Sequence, residues 1–318
     1  MILMGLIDTV TTKYLRQNDI FADAFNYFVY NGEQVIDPSC LKELDSREID
    51  VPYGGVDGAE QPVQKTRDVI RSVVAMTDKQ TAYLILAVEN QASIHYAMAV
   101  KNMVYDALQY ARQVEKAAAS HRESDDYKGA SGAEYLSGFM KGDYLMPVVT
   151  LVIYWDAKPW DGPRSIHEMF QNRDSKVLAL VPDYKINLIE PATMPDEDFD
   201  KFTTTLKEVL AFIKYSRDAD KLKDVVNTDD KFRDLGRIEI DVLNACTRTE
   251  LPMKENEEVL DVCEAIQILN ERAEEKGRIE NLIQNIKSLM ETMGWSAEQT
   301  MDNMKVAEVD RELVIPFL

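Results

Sequence analysis

The sequence predicts a mixed α/β core followed by an all-helical region, and three observations carry this prediction. Residues 83–88 and 147–154 form continuous apolar runs with the length of buried strands. Between them, residues 94–118 repeat their apolar side chains at helical spacing. Beyond residue 190 the pattern is helical almost throughout. We therefore expect residues 1–190 to form an α/β core and residues 191–318 to form a helical C-terminal region.

The remaining elements follow from local patterns along the chain. An N-terminal helix is predicted to end at Asn31-Gly32. Near the other end of the sequence, Gly294 ends a predicted helix and Ser296 begins a capping pattern for the next one. The predicted N-terminal helix covers residues 13–30. Short strands are predicted at residues 47–51, near 69–74 and at 184–189, and further helices at 202–223, 238–246 and 257–293.

Composition narrows the class of protein. The chain has 318 residues and is 45% hydrophobic, which is enough for a sizeable buried core. No stretch approaches the roughly 20 apolar residues that span a bilayer, and the start of the sequence lacks the basic residues of a signal peptide. Its 3 cysteines are far apart, without the paired spacing of zinc or iron–sulfur ligands. We expect a cytoplasmic protein with no membrane partner.

The charge distribution bears on DNA as a partner. The net charge is −20, of which residues 1–190 carry −8 (19 basic, 27 acidic) and residues 191–318 carry −12 (17 basic, 29 acidic). Phosphate contacts supply most of the affinity of nucleic-acid binders, so this balance disfavours tight, unassisted DNA binding. It does not exclude a local basic groove, and a site for divalent cations is itself acidic.

Two acidic residues stand at the ends of neighbouring predicted strands, Asp68 and Glu89. Carboxylate oxygens are the ligands that Mg²⁺ prefers, and the backbone carbonyl of Asn90 offers a further oxygen. Gln91 lies two residues after Glu89, so both side chains emerge on the same face of a strand. The pattern alone leaves two interpretations open, a metal site or acidic residues that are solvated or salt-bridged to Arg67 or Arg71.

Further charged residues are candidates for the same site. Lys101 lies in the helix after Gln91 and is either a cation directed at the sheet edge or a solvated lysine. Asp19 and Asp23 share one face of the N-terminal helix at i, i+4 spacing. They are either additional metal ligands or part of a solvated face. The sequence contains no phosphate-binding loop and no nucleophile elbow.

The ordered set of motifs resembles the PD-(D/E)XK nuclease family known as Rpn recombination-promoting nucleases or putative transposases. The resemblance extends over roughly residues 14–190 and, more loosely, over residues 274–318. The motifs that carry it are Phe21-Ala22-Asp23, Gly32-Glu33-Gln34-Val35-Ile36, Arg67-Asp68, Leu86-Ala87-Val88-Glu89-Asn90-Gln91, Ile94-His95-Tyr96-Ala97-Met98, Asn102-Met103-Val104-Tyr105-Asp106 and residues 147–154 with Pro159-Trp160.

The resemblance implies a restriction-endonuclease-like fold, a mixed sheet flanked by helices. It places Asp68 at the D position and Glu89 at the (D/E) position of a site that uses Mg²⁺ or Mn²⁺ to hydrolyse DNA phosphodiesters. Superfamily members often add an acid from the first helix to this site, so the resemblance makes Asp19 and Asp23 candidate ligands beside the Asn90 carbonyl. Gln91 stands where most of the superfamily has lysine, and the resemblance implies that glutamine is usual in this branch. An amide orients water but supplies no charge.

Two classes of function remain open at this point. One is a metal-dependent DNA endonuclease linked to recombination or mobile elements, and a toxin or antiphage nuclease would share its chemistry. The other is a catalytically weak or inactive nuclease-fold protein that serves as a binding or scaffolding module. Residues 191–318 have two possible roles. They mediate contacts with a second subunit of a homodimer or with a partner, or they only cover one face of the core in the same chain.

Overall fold

The computed structural model of the chain describes residues 2–44, 69–77, 80–126, 129–171, 174–254 and 256–318. The helices are α1 Ile2–Leu15, α2 Asn18–Tyr30, α3 Met98–Ser124, α4 Gly132–Ser137, α5 Ser175–Leu178, α6 Leu206–Tyr215, α7 Ala219–Thr228, α8 Arg237–Thr247, α9 Val262–Met293, α10 Ala297–Asn303 and α11 Glu308–Val314. The strands are β1 Lys42–Glu43, β2 Val69–Thr77, β3 Gln80–Gln91, β4 Val148–Tyr154, β5 Asn187–Ile189, β6 Leu235–Gly236 and β7 Val259–Leu260.

A five-stranded mixed sheet lies at the centre, in the order β1-β2-β3-β4-β5. The first three strands are antiparallel neighbours, with Val69 paired to Val88 at one end of the β2–β3 ladder. Strands β3, β4 and β5 are parallel, and α3 provides the crossover between β3 and β4. This confirms the predicted mixed sheet flanked by helices with a helical C-terminal region.

The two faces of the sheet are covered by different helices. On β4, Leu151 and Ile153 belong to the main hydrophobic core, which α1, α2, α6, α8 and the start of α9 complete. The alternating residues Val152 and Tyr154 face a smaller cluster that includes Met98 of α3. Because successive side chains of a strand point to opposite faces, β4 is buried on both sides and its sequence is continuously apolar.

The N-terminal helices and the segment after residue 190 pack closely together. Gly32 follows α2 with φ +94°, and a Cβ atom built there would stand 2.9 Å from the Cβ of Lys201. Only glycine permits both this backbone conformation and this approach. The main core likewise contains residues from both sides of position 190, such as Leu15 and Leu210. The division into two domains at that position stays a prediction.

Several element boundaries differ from the sequence-based expectation. The predicted helix over residues 13–30 is two helices, α1 and α2, separated at Arg16-Gln17. The predicted helix over 202–223 is also two, because the Asp218 side chain accepts a hydrogen bond from the Lys221 N–H and caps α7. Helix α3 begins at Met98 rather than residue 94. The predicted strand at 47–51 lies outside the described residues.

The C-terminal helices form a small cluster of their own. The first turns of α9 pack on the main core through Val262 and Ile266, whereas its second half packs against α10 and α11 through Ile286. Ser296 caps α10 in the predicted capping box with Gln299. Among the described residues, no helix is long and apolar enough to cross a membrane.

Candidate functional site

The carboxyl end of β3 carries the polar residues that the sequence singles out. Glu89 and Gln91 pair in parallel register with Val152 and Tyr154 of β4, at the edge where both strands end. Their side chains therefore emerge on the face that α3 covers, while Asn90 points to the opposite face. The apolar run before Glu89 holds this polar end against the core.

Glu89 and Lys101 form a buried ion pair on the α3 face. The Lys101 Nζ atom lies 2.6 Å from Glu89 Oε2, and the Glu89 side chain is only 1% exposed. Lys101 comes from the first turns of α3, and its ammonium also lies 5.7 Å from the centroid of the Tyr105 ring. Burial of an isolated carboxylate costs several kcal/mol, and a close ammonium offsets much of that cost.

Asn90 fixes the end of β3 from the other face of the sheet. Its Nδ2 donates to the Thr12 hydroxyl of α1 at 3.1 Å, and its Oδ1 accepts from the Trp155 indole N–H at 3.0 Å. Its backbone carbonyl, proposed from the sequence as a metal ligand, accepts a 2.7 Å hydrogen bond from Gln91 Nε2.

Asp8 of α1 is a residue that the sequence analysis missed. Burial raises the pKa of its carboxyl group, and the positive charge of Lys101 opposes that shift. The carboxylate is thus electrostatically coupled to the ion pair at the end of β3. The helix that carries it was predicted to begin only at residue 13, although Asp8 and Thr12 stand at i, i+4 spacing on one face of it.

The acidic residues predicted on the N-terminal helix have separate environments. Asp19 is exposed in the first turn of α2, whereas Asp23 is buried. The two oxygens of Asp23 accept hydrogen bonds from the backbone N–H and hydroxyl groups of Thr203 and Thr204. These bonds tie α2 to the segment before α6 and engage both oxygens of Asp23, and a role of Asp23 as a metal ligand stays a prediction.

Asp68, the predicted D position, lies outside the described residues. Among the residues that are described, no group of three or more histidine, cysteine, aspartate or glutamate side chains is placed to hold a metal ion. The described part of the site therefore consists of Glu89, Lys101 and Gln91 on one face, with Asn90 behind them and Asp8 nearby. This is one buried carboxylate with an adjacent cation and an amide.

Comparison with known proteins identifies the family. Residues 63–239 match the family described as Putative transposase, YhgA-like, a PD-(D/E)XK-type family. This match spans more than half of the chain, so the chain belongs to that family, and the resemblance drawn from the motifs is confirmed. No curated protein and no solved structure matches the chain.

Proposed function

From membership in this family of mobile-element-associated nucleases, we propose that the protein is a metal-dependent DNA endonuclease. The observation that carries the proposal is Glu89, a carboxylate buried at the end of a central strand beside an ammonium group and an amide. Burying the Glu89 carboxylate at this position costs folding free energy. This cost favours a catalytic role for Glu89 over a structural one. The substrate bond is a phosphodiester of DNA.

The donor atoms suit a hard divalent cation. Mg²⁺ is held by one or two protein carboxylates, and water and substrate phosphate complete its shell. We propose Glu89 as one carboxylate and Asp68 as the other, with the Asn90 carbonyl as a further oxygen. Asp68 directly precedes Val69, whose partner in the ladder is Val88, the residue before Glu89. When bound, Mg²⁺ or Mn²⁺ polarises the scissile phosphate and lowers the pKa of a water molecule.

Lys101 supplies the positive charge that Gln91 lacks. Its ammonium lies 2.6 Å from Glu89 and thus at the same strand end as the Gln91 amide. We propose that Lys101 offsets the negative charge that develops on the phosphate, while the Gln91 side chain orients the attacking water. Charge stabilisation of this kind is the task of the lysine in the usual motif.

The experiment is plasmid nicking by the full chain with Mg²⁺ or Mn²⁺. We expect Glu89→Gln to reduce nicking by about 10²–10³-fold, because it removes one charged group from the reacting centre. Glu115→Gln is the matched control, since Glu115 is an exposed acid on the same helix as Lys101. Equal nicking by wild type and Glu89→Gln, or none by either, would contradict the proposal.

Calorimetry gives a second readout that does not depend on cleavage. Wild type should bind Mn²⁺ weakly, because few protein ligands are offered, and the double substitution Asp68→Asn, Glu89→Gln should abolish the binding heat. Equal heats from both proteins would remove the metal site from the proposal.

A second function, a nuclease-fold binding module without cleavage, is favoured by one observation. The Glu89–Lys101 ion pair balances the buried carboxylate without a metal, and Gln91 adds no charge. The two functions differ in one outcome. A wild-type protein that binds DNA and leaves it intact with either metal would support the binding module.

A further inference from the structure

A second buried acid, Glu208, lies far along the chain from the proposed nuclease site. It belongs to the first turn of α6 and is 0% exposed. Neither of its carboxylate oxygens accepts a hydrogen bond from another described residue. Burial raises the pKa of Glu208 to about 7, with its own backbone N–H and the charge of Lys231 as smaller opposing effects. A polar group in this condition lacks the partner that native structures ordinarily provide.

The two lysines whose charges act on Glu208 make their contacts with other groups. The Lys207 ammonium bridges Asp200 at 3.0 Å and Asp229 at 2.8 Å. The Lys231 ammonium makes a long hydrogen bond, 3.4 Å, to the carbonyl of Thr203. In the part of the chain that the structure describes, no ion pair includes Glu208.

Glu208 borders a groove of about 590 Å³ between α6, α7 and the 3-10 helix Asp196–Lys201. On α6, Glu208, Ala211 and Tyr215 line it, and their i, i+3, i+7 spacing puts them on one stripe of the helix. Glu208 is therefore on the groove side of α6. The lining contains six acidic residues and two lysines, so the groove is strongly negative.

The apolar part of the lining includes aromatic rings that already attract ammonium groups. Lys214 Nζ lies 5.3 Å from the ring centroid of Phe199 and 5.1 Å from that of Tyr215. The same ammonium donates to Asp196. Aromatic faces beside carboxylates are the chemistry that recognises alkylammonium ions.

We propose that this groove binds a small alkyl polyamine. One ammonium group of the ligand pairs with Glu208. A second pairs with the exposed aspartates at the rim, and the methylene chain lies along Ala211 and Phe232. The site is separate from the proposed nuclease chemistry and does not depend on it.

The probe is spermidine, added to the full chain in a calorimeter. Wild type should bind one equivalent saturably, and Glu208→Gln should weaken the affinity at least about tenfold, as expected for loss of a buried charged partner. Glu197→Gln is the matched control, because Glu197 is an exposed acid of the same 3-10 helix outside the groove lining. Its affinity should stay within about twofold of wild type, as surface charges far from a ligand contribute little.

Two further measurements distinguish a specific binding site from general charge attraction. Binding should ionise Glu208, so the affinity of wild type for spermidine should rise about tenfold between pH 6 and pH 8, on either side of its pKa of about 7. This measurement needs no substitution and decides the question if Glu208→Gln fails to fold. Butylamine, with one ammonium group, should bind much more weakly. An affinity that is independent of pH, or equal in wild type and Glu208→Gln, would overturn the proposal.

Discussion

Two buried glutamates, one in the sheet and one in the helical layer, meet opposite environments. Glu89 ends β3, is 1% exposed, and has the Lys101 ammonium 2.6 Å from its carboxylate. Glu208 begins α6, is 0% exposed, and its oxygens accept no hydrogen bond from another described residue. Equal burial thus produces a balanced charge in one place and an acid with a raised pKa in the other.

The difference shows that burial alone does not identify a working carboxylate. A buried charge is tolerated where a partner or a metal compensates it, and otherwise the group becomes neutral. In our proposals, Glu89 acts as an anion beside a phosphate, whereas Glu208 accepts the positive charge of a ligand. Four predictions test this contrast, from the largest expected effect to the smallest.

The largest effect is expected at Lys101. Lys101→Met should reduce plasmid nicking by about 10²-fold, because in the proposed mechanism the ammonium offsets charge at the reacting phosphate. The double substitution Lys101→Met, Gln91→Lys should restore part of the activity by returning the cation to the position usual in the superfamily. If Lys101→Met retains full activity, the cation that assists the reaction lies elsewhere.

The same substitution should also destabilise the fold. Lys101→Met leaves Glu89 buried without this ammonium, and since Lys101 is partly exposed, the expected loss is about 2–3 kcal/mol in the free energy of unfolding. Adding Glu89→Gln should recover most of that loss, since a neutral amide needs no counter-charge. Urea denaturation of wild type, Lys101→Met, Glu89→Gln and the double variant forms a double-mutant cycle. Additive effects of the two substitutions would mean that the ion pair does not stabilise the fold.

Glu208→Gln should have a smaller, pH-dependent effect of opposite sign. The folded-state pKa of Glu208 is raised to about 7 from 4.5, so the native protein binds this proton more tightly than the unfolded chain. Its contribution to stability is full below pH 4.5 and is lost as the pH rises through 7. We compare the free energy of unfolding of Glu208→Gln with that of wild type. Between pH 4.5 and pH 8, this difference should shift in favour of the variant by on the order of 1–3 kcal/mol. Thermal melts across this range check it, and parallel curves for the two proteins would contradict it.

The smallest effect is expected at Asp8. Its carboxylate acts on the site through Lys101, so Asp8→Asn should change nicking by less than about tenfold, as is usual for a partly screened charge. Thr9→Ala, on the neighbouring exposed position of α1, is the control. A loss as large as that of Glu89→Gln would instead make Asp8 a direct ligand.

Much of the sheet could be predicted from the sequence, which also singles out Glu89 and Gln91 as candidate site residues. The apolar run before Glu89 predicts a buried strand because its length and lack of polar residues leave few alternatives, and β3 and β4 confirm it. The two-residue spacing of Glu89 and Gln91 predicts that both side chains emerge on the same face of that strand. Lys101 could only be offered as one of two interpretations, since the helical pattern does not fix where α3 begins or what faces its first turn.

Other parts depend on contacts that one sequence does not contain. The spacing of Asp19 and Asp23 shows that they share a side of α2, but not that Thr203 and Thr204 pack against Asp23. Glu208 is embedded in an apolar run that the sequence predicts as a single long helix, so its burial is visible only in the assembled layers. Long-range packing decides both cases.

The long helix α9 connects two parts of the molecule that are expected to unfold separately. Its 32 residues span about 48 Å, and its ends belong to different hydrophobic clusters, the main core and the small cluster around Ile286 and Val314. Elements that share few apolar contacts open as separate foldons. Amide protons of α10 and α11 should therefore exchange with deuterium through a local opening that leaves β3 protected, so the chain's C-terminal end can fray and reclose while the central sheet remains intact.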